Sequence, residues 1–201
     1  INACIDMESL VCRSFQSSPS NVVYGHLRLR GILRVAQGIL RVKPEQSVEP
    51  LDIVLVWLHE TRRVYSDMLC RAEDMKRFDS LALTVLKKRF AAVSVPSHFL
   101  RRRWATSNGK KSQLAPLLYV EKPAETSIGS PEYERIESMD AFRSKVQSAL
   151  ESYNKRYTAI ELQLHDNVVL MHIARFMRIL GQRNGHAVVF GPCCTSFFSF
   201  I

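Results

Sequence analysis

The sequence has 201 residues, of which 46% are hydrophobic and 23% charged, and its formal net charge is +9. This composition excludes wholesale disorder, because the chain is long and apolar enough to bury one sizeable core or two small ones. The excess of Lys and Arg would attract phosphate, nucleic acid or an acidic protein surface without choosing among them.

The cysteines and the first residues limit the cellular setting. Five cysteines are widely spread without a Cys-x-x-Cys pair, so we predict reduced thiols and no zinc site. No apolar run approaches the roughly 20 residues that span a bilayer. The start contains Asp6 and Glu8 rather than a basic segment and an apolar core, so we expect no secretory signal. Because Ile1 stands where Met is usual, we expect a piece of a longer protein.

Apolar residues recur at helical spacing through most of the first 92 residues. They predict helices over residues 1–16, 32–42, 51–69 and 73–92. The predicted second helix is stopped by a proline, and Arg30 is expected at or just before its start.

The predicted helix at 51–69 begins with proline and an acidic residue, which are start signals. Its apolar residues form a wide stripe, and its charged residues lie largely off that stripe, so we predict a solvated charged face. Those residues are Asp52, Glu60, Arg62, Arg63 and Asp67.

His59 and Glu60 are neighbours in the same predicted helix. Adjacent helical residues point to different sides, so they do not have the spacing of a zinc-binding pair. We predict that His59, with Trp57, is a packed residue bonded to the backbone rather than a metal ligand or a base.

Residues 93–130 break the helical pattern with three prolines and two basic runs. We predict a long irregular connection with a solvated basic surface and a short extended piece at 117–120. Ser130, followed by Pro and Glu, then has the signals of a helix start. A final helix is predicted over residues 162–180.

The apolar run Ala187–Phe190 is typical of a buried parallel strand, and Gly191 follows it. A phosphate-binding loop, Gly-x-x-x-x-Gly-Lys-Ser/Thr, begins at such a point, which makes Gly191 a candidate phosphate contact. Ser196 stands at the position of the second Gly, and Phe197 at that of the Lys. We therefore predict no working nucleotide site here.

Three segments together form a family pattern. The first is Trp57-Leu-His-Glu followed by Arg63-Val-Tyr and Asp67, which resembles a helix that dynein heavy chains have after the nucleotide-binding core of the third AAA+ module. Residues 29–40 are similar to the Leu-Arg-Asp motif of the same lid, with Gly31 in place of Asp. Residues 172–191 are similar to the helix and strand that lead into the fourth module.

The resemblance implies a mainly α fold. The helical lid bundle of an AAA+ module would occupy residues 1–155, with a long loop at about 93–130. The truncated first helix and strand of an α/β P-loop core would occupy residues 156–201. Arg30 resembles a sensor that reaches the phosphates of nucleotide held by the preceding core, which suits Arg because its fork pairs with phosphate oxygens and its charge does not titrate.

The family implies ATP-driven movement along microtubules, with ATP or ADP and Mg bound by the parent protein. For this chain alone we expect a structural and coupling role, with no cofactor, catalytic residue or metal site. The implied partners are neighbouring AAA+ modules and, through the parent, microtubules and dynein subunits. The implied location is the cytoplasm and cytoskeleton, with the axoneme of a cilium or flagellum favoured.

Two alternatives from other classes stay open at this point. One is a basic helical module that binds nucleic acid or acts as an adaptor, although no aromatic residues beyond Trp104 interleave with its basic runs. The other is an independent ATPase, which requires the P-loop lysine that the sequence lacks. We expect no membrane partner.

Overall fold

The computed structural model describes residues 1–15, 28–43, 49–69, 71–100, 117–122, 132–157, 162–164, 167–182 and 185–188. The chain forms two compact units, residues 1–101 and residues 102–201. Both are mainly helical in their described parts, which confirms the predicted mainly α fold. The assignment of residues 1–155 and 156–201 to two modules stays a prediction.

The described part of the first unit contains five α-helices and one π-helical turn. These are α1 (Asn2–Ser14), α2 (Arg28–Ile39), α3 (Pro50–Thr61), the π-turn (Arg62–Ser66), α4 (Ala72–Arg89) and α5 (Ser97–Leu100). Helix α1 contacts α2 and α4, and α2 contacts both α3 and the π-turn. The core side chains come from all of these elements except α5, and the largest include Met7, Phe15, Leu55, Tyr65 and Phe78.

The start of α3 confirms the start signals in the sequence. Glu49 is extended and precedes Pro50, whose ring supplies the first helical position. The Glu49 N–H donates to Asp52 Oδ2 at 3.3 Å, and the Glu49 side chain in turn accepts from the N–H of Asp52, so the two residues form a capping box. The helix was predicted to continue to residue 69, but at Arg62 it changes to the π-turn.

The second unit contains two strands and two helices in its described part. Strands β1 (Tyr119–Lys122) and β2 (Glu132–Arg135) are antiparallel, with Tyr119 opposite Arg135 and Lys122 opposite Glu132. Helices α6 (Met139–Arg156) and α7 (Asn167–Leu180) follow, and α7 contacts β1. The core contains Leu118, Val120, Ile136, Phe142, Leu170 and Ala174.

The predicted helix start at Ser130 is wrong. Residues 132–135 form β2, because alternation places Tyr133 on one side of the strand, where its ring lies 5.5 Å from that of Tyr119. The helix begins only at Met139, after Ser138, whose hydroxyl accepts from the Ala141 N–H at 3.4 Å.

The other sequence predictions in the second unit have mixed outcomes. The extended piece predicted at 117–120 overlaps β1 at residues 119 and 120, and β1 continues to Lys122. The final helix begins at Asn167, later than the predicted residue 162. Ala187 and Val188 have no regular secondary structure, and residues 189–201, which include the rest of the predicted strand and Gly191, lie outside the described residues.

Candidate functional site

Arg30, the candidate phosphate contact, lies in the first turn of α2 with its side chain exposed. Arg34, one helical turn further, is exposed as well. The neighbouring leucines Leu29 and Leu33 are 68% and 51% exposed. This side of α2 therefore exposes two guanidinium groups and two large apolar side chains on the surface of the described part of the first unit.

The opposite side of α2 packs closely on α3 and the π-turn through two glycines. Gly31 and Gly38 are seven residues apart and share one face of the helix. A Cβ at Gly31 would lie 2.6 Å from the Tyr65 hydroxyl oxygen, and a Cβ at Gly38 would overlap the Glu60 carboxylate. Only glycine allows so close an approach at these two positions. The place of Arg30 is thus fixed by a contact at the next residue.

Four buried polar residues lie on either side of the boundary between α3 and the π-turn, and we call them the polar junction: His59, Glu60, Arg62 and Tyr65. Glu60 is 0% exposed and Arg62 is 6% exposed, so the predicted solvated face is wrong for both. The reason is that every residue from Val54 to Thr61 is buried, so this end of α3 has no solvent side.

The side chains of His59 and Glu60 lie closer together than their positions on a helix predicted. His59 Nε2 lies 3.7 Å from Glu60 Oε1, so the ends of the two side chains come together although adjacent residues leave a helix in different directions. The predicted packed state of His59 is confirmed by its burial and by Trp57, which is buried with its ring 5.4 Å from Phe90. Because both members of the pair are shielded from solvent, neither can act directly on a dissolved substrate.

Arg62 links the polar junction to a distant part of the first unit. Its NH1 donates to the Phe99 carbonyl at 2.8 Å, and its NH2 donates to the Leu100 carbonyl at 2.9 Å. Its Nε lies 3.6 Å from Asp79 Oδ1 in α4. One guanidinium therefore contacts three groups on two other elements. The next residue, Arg63, makes a local pair with Asp67 at 3.2 Å.

Tyr65 and Glu8 extend the junction towards α1. Glu8 is buried, and its Oε1 accepts from Cys12 Sγ at 3.2 Å. Burial raises the pKa of the Tyr65 hydroxyl above its ordinary value, and the Glu8 carboxyl raises it further. Burial also raises the pKa of the Cys4 thiol. Tyr65 and Cys4 therefore remain protonated at neutral pH, and Cys4 and Cys12 are thiols that form no disulfide.

A surface cluster joins α1 to the end of α4. Asp6 Oδ2 accepts from Arg89 Nε at 2.6 Å and lies 3.0 Å from Lys88 Nζ. These two cations hold the pKa of Asp6 at about 2. The basic side chains belong to the last turn of α4, where positive charge also interacts favourably with the helix dipole.

Comparison with known proteins gives one consistent result. The model of the AAA+ lid domain matches residues 3–99. The flagellar outer-arm dynein alpha chain of Chlamydomonas reinhardtii is 25% identical over 95% of this chain and 4% of its own length. The ciliary dynein beta chain of Tripneustes gratilla is 26% identical over 95% of this chain and 4% of its own length. Dynein axonemal heavy chain 9 of Homo sapiens is 27% identical over 86% of this chain and 4% of its own length.

The chain is similar to dynein heavy chains over up to 95% of its length, and together with the lid match this similarity supports a dynein heavy chain fragment. It spans about 4% of the length of the curated relatives it matches. The lid match coincides with the first unit, since it ends at residue 99 and the unit ends at residue 101. The packed side of α2, the polar junction and the carbonyls held by Arg62 all lie in this unit.

The departure of this dynein segment from the Leu-Arg-Asp motif has a structural reason. Tyr65 fills the space that a side chain at residue 31 would need, because even a Cβ there would lie 2.6 Å from its hydroxyl oxygen. Gly31 and Tyr65 are therefore matched to each other. The backbone around Arg30 is helical, as the lid motif requires.

Comparable close approaches occur in the second unit, at Gly181 and Gly185. A Cβ at Gly181, just after α7, would overlap the Glu121 side chain of β1. Asn154 pairs with the backbone of Leu162, donating to its carbonyl at 2.8 Å and accepting from its N–H at 3.1 Å. In the part of the chain that the structure describes, no group of three His, Cys, Asp or Glu residues could hold a metal ion.

Sequence reasoning missed the polar junction for two different reasons. The burial of Glu60 had a signal, since an isolated glycine such as Gly38 within a helical pattern marks a close approach. The role of Arg62 had none, because its partners are backbone carbonyls 37 and 38 residues away, and any sequence supplies carbonyls.

Proposed function

We propose that this segment is a structural and coupling element of the motor ring of a dynein heavy chain, without a working nucleotide site of its own. The observation that supports this most strongly is the lid match over residues 3–99, in which the exposed Arg30 lies on a helix packed through Gly31 onto the rest of the lid. Such a helix moves with the lid as one body, so a group that contacts Arg30 shifts the whole lid.

Arg30 suits a phosphate of ATP or ADP held by the preceding core of the parent protein. Bound nucleotide with Mg would supply the hydrolysis energy in that parent. The residues of this chain would bind and orient: Arg30 would contact phosphate oxygens, and Arg34 would add positive potential one turn away. Gly191 is a second candidate phosphate contact, but Phe197 at the lysine position argues against a complete site.

The partners and location follow from the same proposal. Neighbouring AAA+ modules of the heavy chain would cover the exposed leucines of α2, and the parent would act on microtubules with other dynein subunits. The named relatives are axonemal, ciliary and flagellar chains, which favours the axoneme of a cilium or flagellum within the cytoskeleton. No helix in the described ranges is both long and apolar enough to cross a membrane.

The role of Arg30 is tested in the heavy chain that contains this segment. Arg30→Ala should lower microtubule-stimulated ATP turnover by about tenfold, the loss typical of one charged contact to phosphate. Arg41→Ala, at the other end of the helix, is the control and should retain turnover within about twofold. Equal activity of Arg30→Ala and the unaltered chain would contradict the proposed contact.

A further inference from the structure

We propose that Arg62 is a positioning residue that latches residues 97–100 to the π-turn and so fixes the point where the chain leaves the lid. This inference goes beyond the proposed coupling role of the lid. It rests on that role only for what the latch is used for, because residues 97–100 would be the part of the lid through which a shift of α2 is passed on. The latch consists of the Arg62 guanidinium and the carbonyls of Phe99 and Leu100; Asp79 lies beside its Nε.

The geometry of the latch requires arginine. Its two terminal nitrogens donate to two successive carbonyls at 2.8 and 2.9 Å, while its Nε faces Asp79 at 3.6 Å. A planar guanidinium offers these donors in a fixed fork, whereas the single ammonium of lysine cannot reproduce both carbonyl bonds and the Nε contact. Since the Arg62 side chain is almost fully buried, its guanidinium is largely shielded from water, which strengthens the hydrogen bonds it donates.

The latch is connected to the nucleotide-facing helix by a short series of contacts. Gly31, next to Arg30, packs against Tyr65 of the π-turn, and Gly38 packs against Glu60 at its entrance. Arg62 is the first residue of that turn. A displacement of α2 thus reaches Arg62 through the packing of Gly31 on Tyr65, and it reaches residues 99 and 100 through two hydrogen bonds.

Asp79 and Arg63 supply the matched controls. Asp79→Asn removes the charge 3.6 Å from Nε but leaves both carbonyl bonds intact. Arg63→Gln removes a neighbouring, largely buried guanidinium whose ion pair is with Asp67, within the same turn. If the latch depends on the fork of Arg62, neither change should release residues 97–100.

The test is hydrogen–deuterium exchange, followed by mass spectrometry, on the 201-residue chain and on Arg62→Lys, Arg62→Gln, Asp79→Asn and Arg63→Gln. We expect amides in residues 97–100 to exchange about tenfold faster in both Arg62 variants, because the two charge-assisted bonds that order the segment are lost. We expect those amides to change by less than about twofold in the two controls. Peptides from α1 and α4 should keep their protection in Arg62→Lys.

Each other result overturns the latch. Unchanged protection at 97–100 in Arg62→Lys would show that the fork does not order the segment. Equal release in Asp79→Asn would assign the effect to charge balance. Loss of protection throughout the first unit, or failure of Arg62→Lys to fold, would make Arg62 a general core residue. None of these readouts involves nucleotide, so failure of the latch would not contradict the proposed coupling role. That role is tested separately by the ATP turnover of the Arg30 variant.

Discussion

At the scale of single residues, the match between Gly31 and Tyr65 gives the sharpest consequence. Gly31→Ala should destabilise the chain by roughly 1–3 kcal/mol, since the new Cβ would lie 2.6 Å from the Tyr65 hydroxyl oxygen and force a shift in a packed interface. Glycine-to-alanine changes in a helix without such a contact usually stabilise it. Urea unfolding of the purified chain measures the difference.

The control for Gly31→Ala is a double-mutant cycle with Tyr65→Phe. Removing the hydroxyl removes the nearest atom, so the cost of Gly31→Ala should fall by about half in the Tyr65→Phe background. Additive costs would mean that some other contact makes residue 31 intolerant of a side chain.

Asp6 gives the chain a predictable response to acid. Its pKa is lowered from 3.8 to about 2 by Arg89 first and Lys88 second, so the folded state holds this proton less tightly than the unfolded state does. The contribution of the cluster is therefore complete above about pH 4 and is lost as the pH falls through about 2. Asp6→Asn should flatten the loss of stability between these values.

The acid response of Asp6 is measured as the thermal midpoint against pH, for Asp6→Asn and for Arg89→Gln. Removal of Arg89 should also flatten the slope, because Asp6 then loses its main partner. If the slope stays steep in both variants, other carboxyl groups cause the acid sensitivity.

At the scale of elements, the start of α6 separates the sequence prediction from the structure. Ser138→Ala should cost about 1 kcal/mol, the usual value for loss of an N-cap side chain. Ser144→Ala, an exposed change inside the same helix, should stay within about 0.5 kcal/mol and serves as control. A larger cost for Ser130→Ala than for Ser138→Ala would show that the helix begins where the sequence signals suggested.

The helices were predictable wherever their apolar spacing was regular. Helices α1, α3 and α4 begin within two residues of their predicted starts, and Pro50 with Asp52 specified the start of α3. The strand at 132–135 was not predictable in this way, because its pairing with β1 depends on residues ten to sixteen positions away. The π-turn has no spacing signal of its own, so the apolar pattern predicts one continuous helix to residue 69. That helix would have a solvated face at Glu60 and Arg62, where the structure has none.

Site residues followed the same division. The exposure of Arg30 in the first turn of α2 agrees with a contact to a group outside the chain, as the family motif suggested, and its role stays a prediction. The contacts of Arg62 depend on tertiary packing, which local pattern does not encode. Gly191 lies outside the described residues, so its part in phosphate binding also stays a prediction.

At the scale of the whole molecule, the exposed apolar residues predict self-association. Leu29, Leu33 and Leu40 are exposed along one side of α2, and such a patch usually marks a contact surface. The net charge of +9 opposes association, but salt screens it beyond about 8 Å at physiological ionic strength. Light scattering should therefore rise with NaCl concentration.

Two variants identify the source of this association. Leu33→Glu should lower the scattering by interrupting the apolar side of α2, and deletion of residues 192–201 should lower it by removing Phe197, Phe198 and Phe200. Thr84→Glu is the control for an added charge on an exposed helical surface. A monodisperse monomer at all salt concentrations, with a sharp thermal transition unchanged by the deletion, would argue for a self-sufficient domain.

The central proposal is that this chain couples modules of a motor ring and does not itself turn over nucleotide. Its most direct test is the release of inorganic phosphate by the purified 201-residue chain with ATP and Mg, compared with a heat-killed sample and with the same chain carrying Phe197→Lys. We expect no turnover above the heat-killed level in either chain, because a single lysine does not supply the glycine that Ser196 replaces. Magnesium-dependent phosphate release by the unaltered chain would contradict the account.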